Sequence, residues 1–232
     1  VLVSAGSVGV ALGQSFIRAD AFDGSEVIPP PPAPDSVEEA QDLATMLFVQ
    51  EMRTPNMVAV ANFSAVLDDV FHFETNLGPG FNARNCPRTA EIFTAIAAQT
   101  RAIYRPLKEA FGRERPYDAY PDQIFPCTPL NPLPAYPSGH TTRGMVIGML
   151  LADLIPERGH ELLKEGQALG TFRVVAGVHY PSDVRAGQRL GAAIADTIRS
   201  SEAWQNVRGE LEAEIRAVME PSLPPSVRAL EE

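Results

Sequence analysis

The predicted fold depends first on the segment Tyr136-Pro137-Ser138-Gly139-His140-Thr141-Thr142, which follows a proline-rich run and precedes an apolar one. Prolines at positions 132, 134 and 137 hold the preceding chain in extended or turn conformations. The apolar run that continues to residue 151 predicts a buried helix. Residues 137–140 therefore fall at a helix N-terminus, where unpaired N–H groups and a partial positive charge suit an anion. A capped helix with an incidental histidine would give the same pattern, so the rest of the chain must distinguish the two.

Composition limits the class of protein. The chain has 232 residues, of which 45% are hydrophobic and 21% charged, as expected for one large globular domain. Its formal net charge of −10 argues against a broad surface for nucleic acid or anionic membrane, but it allows a small cationic pocket. No window reaches the ~18 to 20 apolar residues of a membrane span.

The periodicity of apolar residues predicts helices and no strands. The class is therefore all-α, a single-domain helical bundle. The predicted helices cover residues 36–52, 56–73, 89–111, 139–154, 158–176, 182–200 and 202–219. Residues 74–88 and the proline-rich residues 112–137 are predicted loops, and the second is long enough to suggest a functional role.

The ends of the chain lie outside this helical domain, which is assigned to residues 37–220. Residues 1–36 form a lead with a proline-rich segment at 29–32, either a mobile linker or an arm that packs across the domain. Residues 1–13 resemble either the end of a signal-peptide apolar region or an ordinary N-terminus, and residues 221–232 form a tail.

The two cysteines, Cys86 and Cys127, each lie beside a proline. Their spacing fits no zinc motif. They are either two unpaired thiols or, in an oxidising compartment, a disulfide that closes a loop and contributes roughly 4 kcal/mol.

Three short groups carry residues suited to phosphate chemistry. The first pairs Lys108 with Arg115 and Pro116, the second is 137–140, and the third contains Arg173, His179 and Asp183. Taken singly, the cations fit a solvated face, and the third group contains an ordinary i, i+4 pair.

Together the three groups have complementary chemistry. Lys108, Arg115 and Arg173 can neutralise a phosphate dianion, and Ser138 with the Gly139 N–H can complete the cradle. Asp183 can fix the tautomer of His179 so that its other ring nitrogen attacks phosphorus, while His140 protonates the leaving alkoxide. No cluster of metal ligands accompanies these groups, so no metal and no cofactor are expected.

The order Lys-x6-Arg-Pro, Pro-Ser-Gly-His and Arg-x5-His-x3-Asp resembles the signature of one superfamily. It joins bacterial class A non-specific acid phosphatases, type 2 phosphatidic acid phosphatases and vanadium haloperoxidases. The matched motifs span residues 108–183, about a third of the chain. Phe172 departs from the signature, which has serine before the arginine; if that serine orders the oxyanion contacts, rate or specificity will differ.

The resemblance to class A acid phosphatases implies an all-helical, metal-independent, vanadate-inhibited enzyme, periplasmic or secreted, acting on small phosphomonoesters. It implies that His179 is the nucleophile, that His140 is the general acid and base, and that Asp183 orients His179. The implied phosphate ligands are Lys108, Arg115, Ser138, Gly139 and Arg173. The same resemblance allows transfer of phosphate to an alcohol, and it allows a homo-oligomer. A bell-shaped pH profile on the acid side is expected.

Two alternatives remain open. A vanadate-dependent haloperoxidase shares the motif, although the modest length and the proline-rich lead look more like the phosphatases. A non-catalytic phosphate-binding helical domain would not need both histidines. A membrane lipid phosphatase shares the motif too, but it would require spanning helices that the hydropathy does not predict.

Overall fold

The computed structural model describes residues 15–66 and 69–219, and within these ranges the chain is helical with no β-strand. The all-α class is therefore confirmed. In chain order the α-helices are α1 (Gly24–Val27), α2 (Val37–Met52), α3 (Pro55–Val66), α4 (Glu74–Leu77), α5 (Pro87–Phe111), α6 (Pro116–Ala119), α7 (Gly139–Leu154), α8 (Gly159–Val175), α9 (Pro181–Arg199) and α10 (Glu202–Val218). Two 3-10 turns, Val70–Phe73 and Pro156–Arg158, complete the described structure.

Helix α7 forms the centre of the bundle. Most of its residues are buried, and α5, α8, α9 and α10 all pack against it. Because its apolar residues face several neighbours, the helix shows no strong apolar stripe, which is the pattern of a core helix. Ser138 caps its first turn, so the deciding segment identified in the sequence lies at the N-terminus of the most buried helix.

Helices α7 and α8 approach each other through glycines. A Cβ on Gly144 would lie 2.8 Å from the carbonyl oxygen of Gly166, and a Cβ on Gly166 would lie 2.5 Å from that of Gly144. Such distances leave no room for a methyl group without moving backbone. The two glycines therefore set the spacing between the helices that carry the segments 137–140 and Arg173.

The described part of the lead packs on the bundle. Helix α1 contacts α5 and α9, and Phe16, Ile17 and Ile28 are buried in the main core. The Tyr136 hydroxyl donates a hydrogen bond to the carbonyl of Pro29. Of the two alternatives for the proline-rich segment, the structure has the packed arm. Residues 1–13 and the predicted tail 221–232 lie outside the described residues.

Two helix predictions in the first half need correction. The predicted helix at 56–73 is not continuous: α3 ends at Val66, and a separate 3-10 turn begins after Asp69, whose carboxylate accepts from the Phe71 N–H. The predicted loop at 74–88 contains the short helix α4. The predictions at 139–154, 158–176, 182–200 and 202–219 agree with α7 to α10 within one or two residues.

The conditional disulfide does not form, because Cys86 and Cys127 are free thiols in different parts of the molecule. Cys86 caps the start of α5 inside the main core. Cys127 lies in the loop before α7 and packs with a separate cluster around Val175.

Among the described helices, none is both long and apolar enough to cross a membrane.

The glycine contact makes a stability prediction. Gly166→Ala should lower the free energy of unfolding by roughly 1–3 kcal/mol, because the new methyl group overpacks against the α7 backbone. Gly209→Ala is the matched control: this glycine is exposed on α10 with nothing within 4 Å of its added Cβ, and the change should stabilise by up to about 1 kcal/mol. Urea unfolding measures both, and equal effects of the two substitutions would contradict the close contact.

Candidate active site

The three sequence groups meet at one end of the bundle, where helix termini converge. The charges lie at the helix ends that stabilise them: Lys108 and Arg173 occupy last turns, and Asp183 occupies a first turn. The contributing positions are Lys108 at the end of α5, Arg115 before α6, Gly139 and His140 at the start of α7, Arg173 at the end of α8, His179 in the following connection and Asp183 in α9.

The connection between α8 and α9 depends on a glycine. Gly177 has φ +75°, a left-handed conformation that favours glycine, and it ends α8 through a hydrogen bond to Val174 O. The turn carries the chain from Arg173 to His179, so both side chains reach the same cavity.

His179 is held between a carboxylate and a guanidinium. Its Nδ1 lies 3.2 Å from Asp183 Oδ2, and its Nε2 lies 3.0 Å from Arg115 Nη1. Because the carboxylate accepts and the guanidinium only donates, the proton belongs on Nδ1 and the lone pair on Nε2. Burial, followed by the charges of Arg115 and Lys108, lowers the pKa of His179 well below its usual value. The ring is therefore neutral, with its basic nitrogen facing the cations.

Two of the cations are anchored by backbone carbonyls. Lys108 Nζ donates to Pro134 O at 2.7 Å and to Ala135 O at 3.0 Å. Arg115 donates from Nε to Leu133 O and from Nη1 to Val178 O, each at 2.8 Å. Burial, with a smaller contribution from Arg115, lowers the pKa of Lys108 to about 7. The long loop at 112–137 thus supplies three of these four carbonyls, and the connection between α8 and α9 supplies the fourth.

Arg173 is less completely satisfied. Its side chain is 4% exposed, and Nη2 donates to Thr128 Oγ1 at 3.2 Å. Its Nε and Nη1 are buried and have no hydrogen-bond partner. An unsatisfied buried donor costs roughly 1–3 kcal/mol, and more when it is charged. Burial, then the charge of Arg115, lowers the pKa of Arg173 to about 10, so the guanidinium is still charged at neutral pH.

Ser138 and Gly139 have different surroundings. Ser138 is fully buried, and its hydroxyl receives hydrogen bonds from the backbone and side chain of Thr141 as the N-cap of α7. Gly139 is buried but lines the cavity, and a Cβ at this position would lie 2.9 Å from the ring of Tyr104.

His140 lines the same cavity as Lys108 and Arg115. Its Nε2 is 3.4 Å from the carbonyl oxygen of Ala65, at the end of α3. Burial first, and the charge of Arg173 second, lower the pKa of His140 to about 4. In the ligand-free site this histidine is therefore neutral between pH 5 and 7, which the sequence did not predict.

Two cavities lie beside His140 and His179. One cavity of about 280 Å³ contains Lys108 and Gly139, and another of about 210 Å³ contains Arg173 and Leu130. Arg115, His140 and His179 line both. The geometry thus brings the predicted cations and both histidines around one space, with Ser138 and Asp183 buried behind it.

Sequence reasoning missed a buried network behind Asp183. Arg113 donates to Asp183 Oδ1 at 2.6 Å and to Asp42 Oδ2 at 3.2 Å, and it lies 3.9 Å from the ring centroid of Tyr180. Ser182 links Asp42 to Arg113, since its N–H and hydroxyl donate to Asp42 and its hydroxyl oxygen accepts from Arg113. The available signal was Arg113 two positions before Arg115, but nothing in the sequence pairs it with Asp42, 71 residues earlier.

The network determines the state of Asp183. Burial raises the pKa of this carboxyl, and Arg113 and the Tyr180 N–H oppose that rise. Its two oxygens thus accept from a guanidinium, a backbone amide and a histidine. Removing one partner of such a buried pair costs roughly 3–5 kcal/mol.

Phe172, which replaces the signature serine, is partly buried. It packs with the apolar cluster that contains Ala61 and Val175. Within the described residues, no group of three or more His, Cys, Asp or Glu side chains could hold a metal ion.

Known proteins resemble the chain in both sequence and structure. An acid phosphatase of Zymomonas mobilis is 31% identical over 170 residues, covering 68% of this chain and 62% of the relative. A non-specific acid phosphatase of Providencia stuartii is 26% identical, covering 81% of this chain and 79% of the relative. A transmembrane PAP2-type phosphatidylglycerolphosphate phosphatase from Bacillus subtilis matches the fold with a TM-score of 0.53 at 20% identity, over 72% of this chain and 86% of its own.

The family assignment covers the whole site region. Residues 89–205, about half of the chain, match the PAP2 superfamily, and they include every predicted site residue from Lys108 to Asp183. The chain therefore belongs to the PAP2 superfamily.

Proposed function

We propose that the protein is a metal-independent acid phosphatase that hydrolyses phosphomonoesters through a phosphohistidine at His179. The observation that carries this proposal is Arg173, which lines the cavity shared by both histidines and has two buried nitrogens without a hydrogen-bond partner. Oxygens of a phosphoryl group would satisfy those donors and neutralise the three cations at once. The acid phosphatase relatives are consistent with this activity.

The first half-reaction transfers the phosphoryl group to the protein. His179 Nε2 attacks phosphorus while the bond to the ester oxygen breaks, and His140 gives its proton to the departing alkoxide. Asp183 stabilises the positive charge that develops on the His179 ring, because its carboxylate accepts a hydrogen bond from Nδ1–H. Lys108, Arg115, Arg173 and the Gly139 N–H hold the phosphoryl oxygens, and Ser138 supports them from the helix cap.

The second half-reaction releases phosphate. The neutral His140 takes a proton from water, whose oxygen attacks phosphorus as the bond to His179 Nε2 breaks. An alcohol in place of water would give phosphate transfer to that alcohol by the same steps. Vanadate is expected to inhibit, since it can occupy the same oxygen cradle. We extend the proposal to a periplasmic or secreted location on the resemblance to class A phosphatases alone.

The acid optimum has a different origin from that expected from the sequence. With the pKa of His140 at about 4, the free protein cannot bring the required proton at pH 5. A phosphomonoester can, because its second pKa is about 6. Between about pH 4 and about pH 6, His140 is neutral and the ester is a monoanion, so the two together carry the one proton that the reaction needs. We therefore expect kcat/KM to be highest from about pH 4 to about pH 6.

Substitution of the histidines tests the proposed roles. His179→Ala should lower kcat by at least about a thousandfold and abolish any phosphoenzyme. His140→Ala should lower kcat for alkyl phosphates by roughly 10²–10⁴-fold, but much less for p-nitrophenyl phosphate, whose leaving group needs little protonation. His160→Ala, at the start of α8 and outside the site, is the control.

Unchanged turnover in His179→Ala would defeat the mechanism. Oxidation of iodide by peroxide and vanadate, without hydrolysis of any phosphate ester, would instead assign the protein to the haloperoxidases.

The network behind Asp183 predicts a positioning role for Asp42. Asp42→Asn keeps the size of the side chain but removes the second negative charge beside Arg113. We expect kcat to fall roughly 10- to 100-fold through misplacement of Asp183 and His179, with KM changed less than about twofold. Arg185→Ala is the matched control. Arg185 also lies beside the Asp42 carboxylate, at 3.7 Å, but its side chain is 63% exposed and it belongs to the solvent side of the network. A normal kcat in Asp42→Asn, with an unaltered thermal midpoint, would exclude the positioning role.

A further inference from the structure

A groove beside the catalytic cavity has no role in the reaction described above. It has a volume of about 500 Å³ and lies between α5, α7 and the 3-10 turn at Val70–Phe73. Its walls are mainly apolar and include Val70, Phe71, Phe93 and Ile147. We propose that this groove binds the extended apolar group of an amphiphilic phosphomonoester, an inference that rests on the proposed phosphatase function.

One face of α5 runs through both cavities. Ala90, Phe93, Thr94, Ala97, Ala98 and Arg101 line the groove, with the spacing of a single helix face. Arg101, Tyr104, Arg105 and Lys108 continue the same face into the catalytic cavity. The groove is therefore the continuation, along one helix, of the surface that ends at the phosphate-binding lysine.

Helix α7 makes the same connection on the other wall. Gly139, His140 and Arg143 line the catalytic cavity, and Arg143 and Ile147 line the groove. His140 is the proposed proton donor to the leaving group, so the organic part of the ester departs on its side of the phosphate. A leaving group that extends along α7 from His140 meets Arg143 and then the groove.

The groove exists because α5 presents small side chains to it. Ala90 and Ala97 are half-buried and lie opposite large apolar residues, Phe71 and Ile147, on the other walls. A cavity of this volume and apolar lining suits a chain or ring that leaves water, whereas a second phosphate would lack fixed donors along most of its length. The occupant is therefore an alkyl or aryl group rather than another charged group.

Helix geometry sets the length that the occupant needs. Seven residues separate Lys108 from Arg101, which corresponds to about 10 Å along α5, and the groove extends about 16 Å further to Ala90. Short esters such as butyl phosphate therefore end before the groove, whereas decyl phosphate reaches into it.

A series of n-alkyl phosphates tests the proposal, with each ester kept below the concentration at which it forms micelles. Each methylene that enters the groove should raise kcat/KM about fourfold. We therefore expect a flat profile for the shortest esters and a gain of at least about tenfold between butyl and decyl phosphate.

Ala97→Leu fills the groove near its Arg101 end without harming the helix, because leucine is a good helix former. It should remove most of the gain for decyl phosphate and leave kcat/KM for butyl phosphate within about twofold of its original value. Ala102→Leu is the matched control: it adds the same side chain to an exposed position of α5 that lines neither cavity.

Three results overturn the proposal while leaving the phosphatase function intact. They are equal kcat/KM for butyl and decyl phosphate in the unaltered protein, equal losses for both esters in Ala97→Leu, and the same loss in Ala102→Leu. If the unaltered protein hydrolyses no ester of the series and no p-nitrophenyl phosphate, the proposed function fails and the groove proposal fails with it.

Discussion

The burial of three cations around one small space is the constraint on which the rest of the structure depends. Lys108, Arg115 and Arg173 are 3–5% exposed, and their lost hydration, together with the smaller effect of their mutual repulsion, lowers the pKa of Lys108 and of Arg173. Carbonyls of the long loop offset part of that cost for two of them. The cost of burying Arg173 is offset least, because two of its nitrogens have no hydrogen-bond partner. The site is therefore arranged to bind an anion rather than to stabilise the fold.

The bundle provides the rigidity that such a site requires. Helix α7 is buried by its neighbours and fixes Gly139 and His140, while close glycine contacts set its distance from α8, which carries Arg173. The Asp42–Arg113–Asp183 network connects the N-terminal helix α2 to the carboxylate that orients His179. His179, the proposed nucleophile, is thus positioned by residues from α2, from the long loop and from α9, and no single segment of the chain contains the site.

The sequence predicts what is local and periodic. The helices from residue 139 onward, the N-cap at Ser138 and the motif residues could all be assigned, because helical periodicity, capping and short motif spacing act over few residues. The separation of α3 from the turn at Val70–Phe73 was missed, since the apolar residues on both sides keep helical spacing in the sequence. The contact of Arg113 with Asp42, the free state of Cys86 and Cys127 and the low pKa of His140 depend on long-range packing, which periodicity does not encode.

In the proposed mechanism a phosphate group completes the charge balance of the buried site, and the titration of His140 tests this balance. NMR of the ring, assigned with His140→Gln, should give a pKa of about 4 in the free protein. With saturating inorganic phosphate the pKa should rise by roughly one to three pH units, because a nearby opposite charge favours the imidazolium. A pKa that stays the same or falls when phosphate binds would contradict the claim.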